Sequence, residues 1–295
     1  MFGRLLVGGL AAAMLIGSPS LEAQRQRPLT PLPPNGLRVV PFFAGWYANP
    51  DETVTLSFSY SNLNLTELVE IPLGPENFIT PAEFDGRQPT SFPAPGARRD
   101  DDDPPTRRER ERGVFTVTVP ASFRGDVVWT LVNRERTFSV PGSAQNSAYQ
   151  LKWPMAMGSQ PPLVRFSAEG PAGRGPTGID AEPLQASVDT PLELTVWIHD
   201  DSVREEAPIA VRQRQADAPE MNVTWYKHTG PGPVVFSAET EELEGTEGMA
   251  TTTATFEQPG EYMIRVRADN FGGIDSSAGN QCCWTNGYVK VTVTS

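Results

Sequence analysis

Across residues 221–295 the chain consists almost entirely of short runs that alternate apolar and polar residues, and this constrains its fold more than any other feature. Tyr262, Ile264, Val266 and Ala268 share one parity, with Met263, Arg265 and Arg267 on the other. Further on, Val289, Val291 and Val293 alternate with Tyr288, Lys290 and Thr292. Successive side chains of a strand point to opposite faces, so each run reads as a strand with one face for a core. Gly230, Pro231, Gly232, Pro259 and Gly260 stand between the runs, where turns are needed. Such strands bury their apolar faces by packing two sheets against each other. The expected class is all-β, in sandwich form.

The chain is 295 residues long and shows no extended helical period, which leaves room for two sandwich domains in tandem. Its 26 Gly and 29 Pro suit a chain with many turns. In the earlier part, Val54, Leu56, Phe58 and Tyr60 alternate with Thr55, Ser57 and Ser59. Phe115, Val117 and Val119 form another such run, Val127, Trp129 and Leu131 a third, and Phe138 with Val140 a fourth. These place a first domain at residues 37–141. Residues 142–162 lack strand pattern and read as a linker whose Trp153, Met155 and Met157 cover a domain edge. A second domain follows at residues 163–295, where Leu192, Leu194, Val196 and Ile198 oppose Trp197 and His199.

Residues 1–23 read as a secretory signal peptide, with Arg4 ahead of an apolar stretch and Leu21-Glu22-Ala23 as the cleavage site. Pro28, Pro31, Pro33 and Pro34 make residues 24–36 a Pro-rich tether. No later stretch is long and apolar enough to span a bilayer. The expected location is exported, periplasmic or extracellular. The formal charge of -12 argues against nucleic-acid binding and against anionic lipid surfaces. That leaves an envelope or extracellular protein, or a polysaccharide, as the expected partner.

Two stretches interrupt the pattern with charge. Asp100, Asp101, Asp102 and Asp103 sit in a block followed by alternating Arg and Glu up to Arg112, which reads as a solvated hairpin insertion rather than a calcium loop. Residues 202–220, with Pro208 and Pro219, read as a second long loop.

Val223-Thr224-Trp225, Thr229-Gly230-Pro231-Gly232, Phe256 with Pro259-Gly260-Glu261-Tyr262, and Val266-Arg267-Ala268-Asp269 together resemble PKD-like domains. The resemblance covers roughly residues 180–295. It implies an immunoglobulin-like sandwich, with Trp225 in the core and Tyr262 at the corner entering the next strand. The Gly-Asp-Gly usual after the Trp strand is missing, and residues 269–284 form an insertion before the last strand. The whole chain also resembles a group of exported bacterial proteins ending in a Gln281-Cys282-Cys283-Trp284-Thr285-Asn286 segment, a likeness that carries no function across. The expected architecture is therefore two tandem immunoglobulin-like sandwiches after a signal peptide and tether. PKD-like domains serve as spacers, adhesion units or binding accessories, and fold alone does not choose among these.

Few residues point to chemistry. Cys282 and Cys283 are the only cysteines, and an oxidising compartment favours pairing. Adjacent strand residues face opposite ways, so a bridge between them requires a loop ahead of Gly287. Reduced thiols and an intermolecular bridge remain open alternatives. Only two histidines occur, His199 and His228, each read as a surface or turn residue, and no catalytic motif accompanies them. The expectation is a non-enzymatic protein without cofactor. Asp200, Asp201, Asp269 and Asp275 are candidates to meet at one pole and hold calcium, against a default of turn capping. The expected binding site is the loop carrying Phe271, Cys282, Cys283 and Trp284. Two readings compete with an interaction or scaffold module: a carbohydrate-binding or polysaccharide-active accessory protein, and a redox protein using the cysteine pair.

Overall fold

The computed structural model describes residues 33–94, 110–151, 158–203, 221–270 and 283–295. The expected signal peptide, most of the expected tether, the Asp100–Asp103 block, Trp153, most of the 202–220 loop, Phe271, Asp275 and Cys282 lie outside the described residues. Residues Pro34–Ser295 form one compact unit.

Each alternating run becomes a strand. In the first half, β1 (Val39–Ala48), β2 (Thr53–Asn62) and β6 (Glu111–Pro120) form one antiparallel sheet. The facing sheet is β4 (Asn77–Thr80), β7 (Val127–Asn133) and β8 (Arg136–Gly142), with β3 (Val69–Glu70) paired to β5 (Ser91–Phe92) at the side. Between the sheets Phe58 stacks on Phe115 at 5.0 Å, and Phe115 meets Trp129 edge-on at 5.0 Å. Such aromatic pairs contribute about 0.5–1.5 kcal/mol each beyond area burial. Polar side chains tie the layers together. Buried Asn133 accepts from the Val39 amide at 3.0 Å and donates to its carbonyl at 2.9 Å, as a paired strand would. Asn77 accepts from the Trp129 indole at 3.0 Å and donates to the Ile71 and Pro89 carbonyls.

The second half repeats the plan. One sheet runs β14 (Val234–Phe236), β16 (Glu247–Phe256), β12 (Leu192–His199) and β9 (Leu163–Arg165). The other runs β15 (Thr240–Leu243), β13 (Met221–Thr229), β17 (Gly260–Asp269) and β18 (Trp284–Thr294), whose far edge pairs in parallel with β10 (Ile179–Asp180) and β11 (Leu184–Ser187). In both halves the second and fifth strands of the immunoglobulin plan pair in one sheet, and the third, sixth and seventh in the other. Both are immunoglobulin-like sandwiches. Trp225, Ile264, Val266, Val291 and Phe256 fill the second core, as the alternation predicts. The Tyr262 hydroxyl donates to the Gln258 carbonyl at 2.9 Å and accepts from the Gly232 amide at 3.1 Å. That is the tyrosine corner which the resemblance implies.

Two readings change. His228 is no surface residue: it is buried at the end of β13, where the two sandwiches meet. The charged run ending at Arg112 is not wholly a solvated insertion either, because Glu111 opens β6 and pairs with arginines of β17.

Candidate functional site

The pole of the second sandwich gathers the strand ends that flank residues 271–282. β12 runs out at Asp200, β17 at Asp269 and Asn270, and β18 begins just after Cys283. The Asn270 amide donates to the Cys283 carbonyl at 3.3 Å. Its side chain donates to the Gln160 carbonyl at 2.7 Å and the Ser202 hydroxyl at 3.3 Å. Ser202 in turn donates its amide to the Asp200 carboxylate at 3.0 Å. Asn270, Ser202 and Gln160 thus connect the end of β17 to the turn that follows β12.

Asp200 caps its own turn, Asp201 pairs with Arg174 at 2.6 Å, and Asp269 pairs with Arg267 at 3.3 Å. The hydrogen bond from Arg174 holds the Asp201 carboxyl below the usual range. Among the described residues, no three acidic, histidine or cysteine side chains stand close enough to hold a metal ion together. Asp275 lies outside them.

Cys283 is buried and disulfide-bonded, and Cys282 is the only other cysteine of the chain. Trp284 is buried too, with its indole turned towards the first sandwich rather than to solvent. It lies against Gly113 of β6, where a Cβ would sit 2.4 Å from the Trp284 ring and the backbone φ is +51°. Only glycine meets both conditions at that contact. The indole is thus a packing group between sandwiches, and the face it offers is not open to a ligand.

The same contact continues along β17 and β18 as a layer of buried polar bonds. Asn286 donates to the Gly113 and Pro176 carbonyls at 2.7 and 2.9 Å, and the Tyr288 hydroxyl donates to the Val114 carbonyl at 3.0 Å. Arg265 and Arg267 both reach one Glu111 oxygen at 2.9 Å, and the Arg265 guanidinium stacks over Tyr226 at 4.0 Å. Burial alone would lower the pKa of Arg265, but Glu111, Tyr226 and Tyr288 raise it overall, so it stays charged. At the other end, the His228 Nε2 lies 2.9 Å from the Arg87 carbonyl, and the Thr90 amide donates to the His228 carbonyl at 2.8 Å. A carbonyl can only accept, so Nε2 carries the proton of a neutral ring. Burial, reinforced by Arg265 and Arg87, pushes the imidazole down to about 3. Lys227 pairs with Glu70 at 3.2 Å and Arg87 with Asp180 at 3.3 Å around the rim.

No protein-family model matches the chain, and no curated protein sequence does. Solved structures similar to it include the D0-D1 domain of Intimin, at 12% identity and a TM-score of 0.24, covering 86% of this chain and 100% of that one. The D00-D0 domain of Intimin is similar at 10% identity and a TM-score of 0.27, covering 88% and 100%. The E. coli chaperone DraB is similar at 14% identity and a TM-score of 0.23, covering 38% of this chain and 50% of that one. The immunoglobulin-like assignment rests on the strand order above. Among the described residues, no helix is long and apolar enough to cross a membrane.

Proposed function

We propose that this chain is an exported, non-enzymatic interaction or scaffold module of the cell envelope or exterior, with residues 37–141 and 163–295 as its two domains. It binds a protein or surface polymer through residues 271–282. The observation that carries this reading is the anchoring of that segment's two stems. Asp269 and Asn270 on one side, and Cys283 and Trp284 on the other, are all buried. They stand on a base of two sandwiches joined by hydrogen bonds, and binding residues commonly occupy loops held on such a scaffold. A ring closed between Cys282 and Cys283 would stiffen the stem next to Trp284.

The carbohydrate reading needs exposed Trp or Tyr rings to stack on sugars. Trp129, Trp225 and Trp284 are buried, as are Tyr47, Tyr60, Tyr226, Tyr262 and Tyr288, which leaves Trp46, Trp197, Trp153 and Tyr149 for that role. Protein binding is therefore the better-supported form.

The test places a photo-crosslinking amino acid at Phe271 and, as a control, at exposed Tyr149 of the first sandwich, in the cells that make the protein. A discrete protein adduct formed from position 271 and not from 149 supports the proposal. No adduct at 271, or the same adducts from both positions, would overturn it.

A further inference from the structure

The seam between the two sheets of the second sandwich is open on one side. A cleft of about 470 Å³ lies there, floored by the core side chains Phe166, Ile179, Leu184, Leu194 and Val289. A second depression of about 310 Å³ lies next along the same seam, beside Ala186 and Leu192. The first volume is within the range of about 300–1,000 Å³ typical of ligand sites.

The opening has a structural cause. β9 pairs with β12 only through Leu163, Val164 and Arg165, opposite His199, Ile198 and Trp197. The chain then leaves the sheet in a turn closed by the Gly170 amide on the Ser167 carbonyl, and returns as β10 and β11 on the opposite sheet. Among the described residues, no strand takes its place beside the first part of β12.

Which backbone groups this exposes follows from hydrogen-bond parity. Val164 exchanges its amide and carbonyl with Gly173 at 3.1 and 2.9 Å, on the side away from β12. Leu163 and Arg165 therefore turn theirs towards β12, to His199 and Trp197. Backbone groups alternate sides along an antiparallel strand, so Thr195 and Glu193 direct theirs the same way, into the open seam. Their side chains point outward, while Leu192, Leu194 and Val196 face the core. An unpaired edge above an apolar floor is a template for another strand.

The charge of the cleft selects what enters. Its lips carry Glu182 and Glu193, both exposed, and its third carboxylate, Asp180, is held by Arg87 at 3.3 Å. Among the described residues no Lys or Arg lines it. We propose that this seam is a strand-addition site for an extended segment of another protein, with apolar residues at alternate positions and Lys or Arg between them. The segment continues the line of β9, antiparallel to β12. Its apolar side chains enter the cleft over Leu194 and Leu184, and its basic ones meet Glu182 and Glu193. This proposal draws on none of residues 271–282, and neither proposal depends on the other.

The probe is a fluorescein-labelled Lys-Val-Lys-Val-Lys-Val-Lys peptide, titrated with the mature chain and followed by anisotropy. An acidic Glu-Val-Glu-Val-Glu-Val-Glu peptide serves as control. The Thr195→Pro variant removes an edge donor and spares the backbone ladder to β16, losing there only the side-chain bond to Thr251 at 3.1 Å, and Glu182→Lys with Glu193→Lys reverses the lips. We expect saturable binding of the basic peptide only, weakened about tenfold or more by each variant. Amide exchange at Glu193 and Thr195 should slow when the peptide is bound. Absence of saturable binding, equal binding to all variants, or unchanged exchange at those amides would overturn the proposal. So would concentration-dependent dimerisation of the free chain that Thr195→Pro abolishes, since the occupant would then be a second copy.

Discussion

His228 offers a direct test of how the two sandwiches are joined. In the folded chain its ring is buried against the Arg87 carbonyl and edge-on to Tyr288 at 5.5 Å, with its pKa pushed from 6.5 down to about 3. In the unfolded chain the same ring takes up a proton near its ordinary value of about 6.5. Between these two values the unfolded state binds one more proton, so stability rises with pH across that window. The contribution is fully present above 6.5 and is lost as pH falls towards 3. Between pH 6.5 and pH 4.5, a window that avoids most carboxylate titration, one such group removes about 2 kcal/mol. The assay is urea denaturation of the chain at several pH values, alongside His228→Phe, which keeps an aromatic ring beside Tyr288 and removes the titrating nitrogen. We expect the variant to be less stable than the natural chain at pH 7, where it has lost the bond to Arg87, and to show a shallower decline towards pH 4.5. Equal slopes for the two proteins would refute the placement of a neutral, buried His228 between the sandwiches.

Two further substitutions probe the same framework. Tyr262→Phe removes a hydroxyl that both donates to Gln258 and accepts from Gly232, and should cost about 1–3 kcal/mol of stability, read as a lower denaturant midpoint, without changing the fold seen by circular dichroism. An unchanged midpoint would show that the corner is not a working contact. Glu111→Ala leaves the guanidinium groups of Arg265 and Arg267 without their shared carboxylate and should cost about 3 kcal/mol, with loosening of the sandwich junction visible as faster amide exchange at Val114 and Asn286. Loss of stability without any change in exchange there would place its effect elsewhere.

Much of the fold could be read from single residues. The alternation of Tyr262, Ile264, Val266 and Ala268 marks the inner face of β17, and all four enter the core. Val54, Leu56, Phe58 and Tyr60 do the same for β2. The corner at Tyr262 was implied by the PKD-like resemblance, carried by Phe256 and the Pro259-Gly260-Glu261-Tyr262 turn. These features are local, or rest on one face meeting one core, and that is the information a period of two contains. The pole was legible in part for the same reason: strand ends can be counted, so Asp200 and Asp269 could be expected near each other. Ser202 and Arg267 each lie two residues from the carboxylate they meet, but Arg174, 27 residues from Asp201, is brought into reach only by the packing.

The junction between the sandwiches was not legible, because a polar residue on the outer face of a strand has the same signature whether it meets water or another domain. Arg265, Arg267, Asn286 and Tyr288 occupy positions that alternation assigns outward, and that assignment is correct for the second sandwich taken alone. The first sandwich then covers them. Arg265, Asn286 and Tyr288 are buried with hydrogen bonds satisfied by Glu111 and by the Gly113 and Val114 carbonyls. A buried polar layer of this kind tolerates little sliding, since any shift strands donors that water cannot reach. Trp284 belongs to the same layer, which explains how an aromatic beside a cysteine pair can look like a ligand platform in sequence and be a domain contact in the fold. Binding surfaces on this chain therefore have to be sought away from the junction, and the open edge of β12 is one place among the described residues that it leaves uncovered.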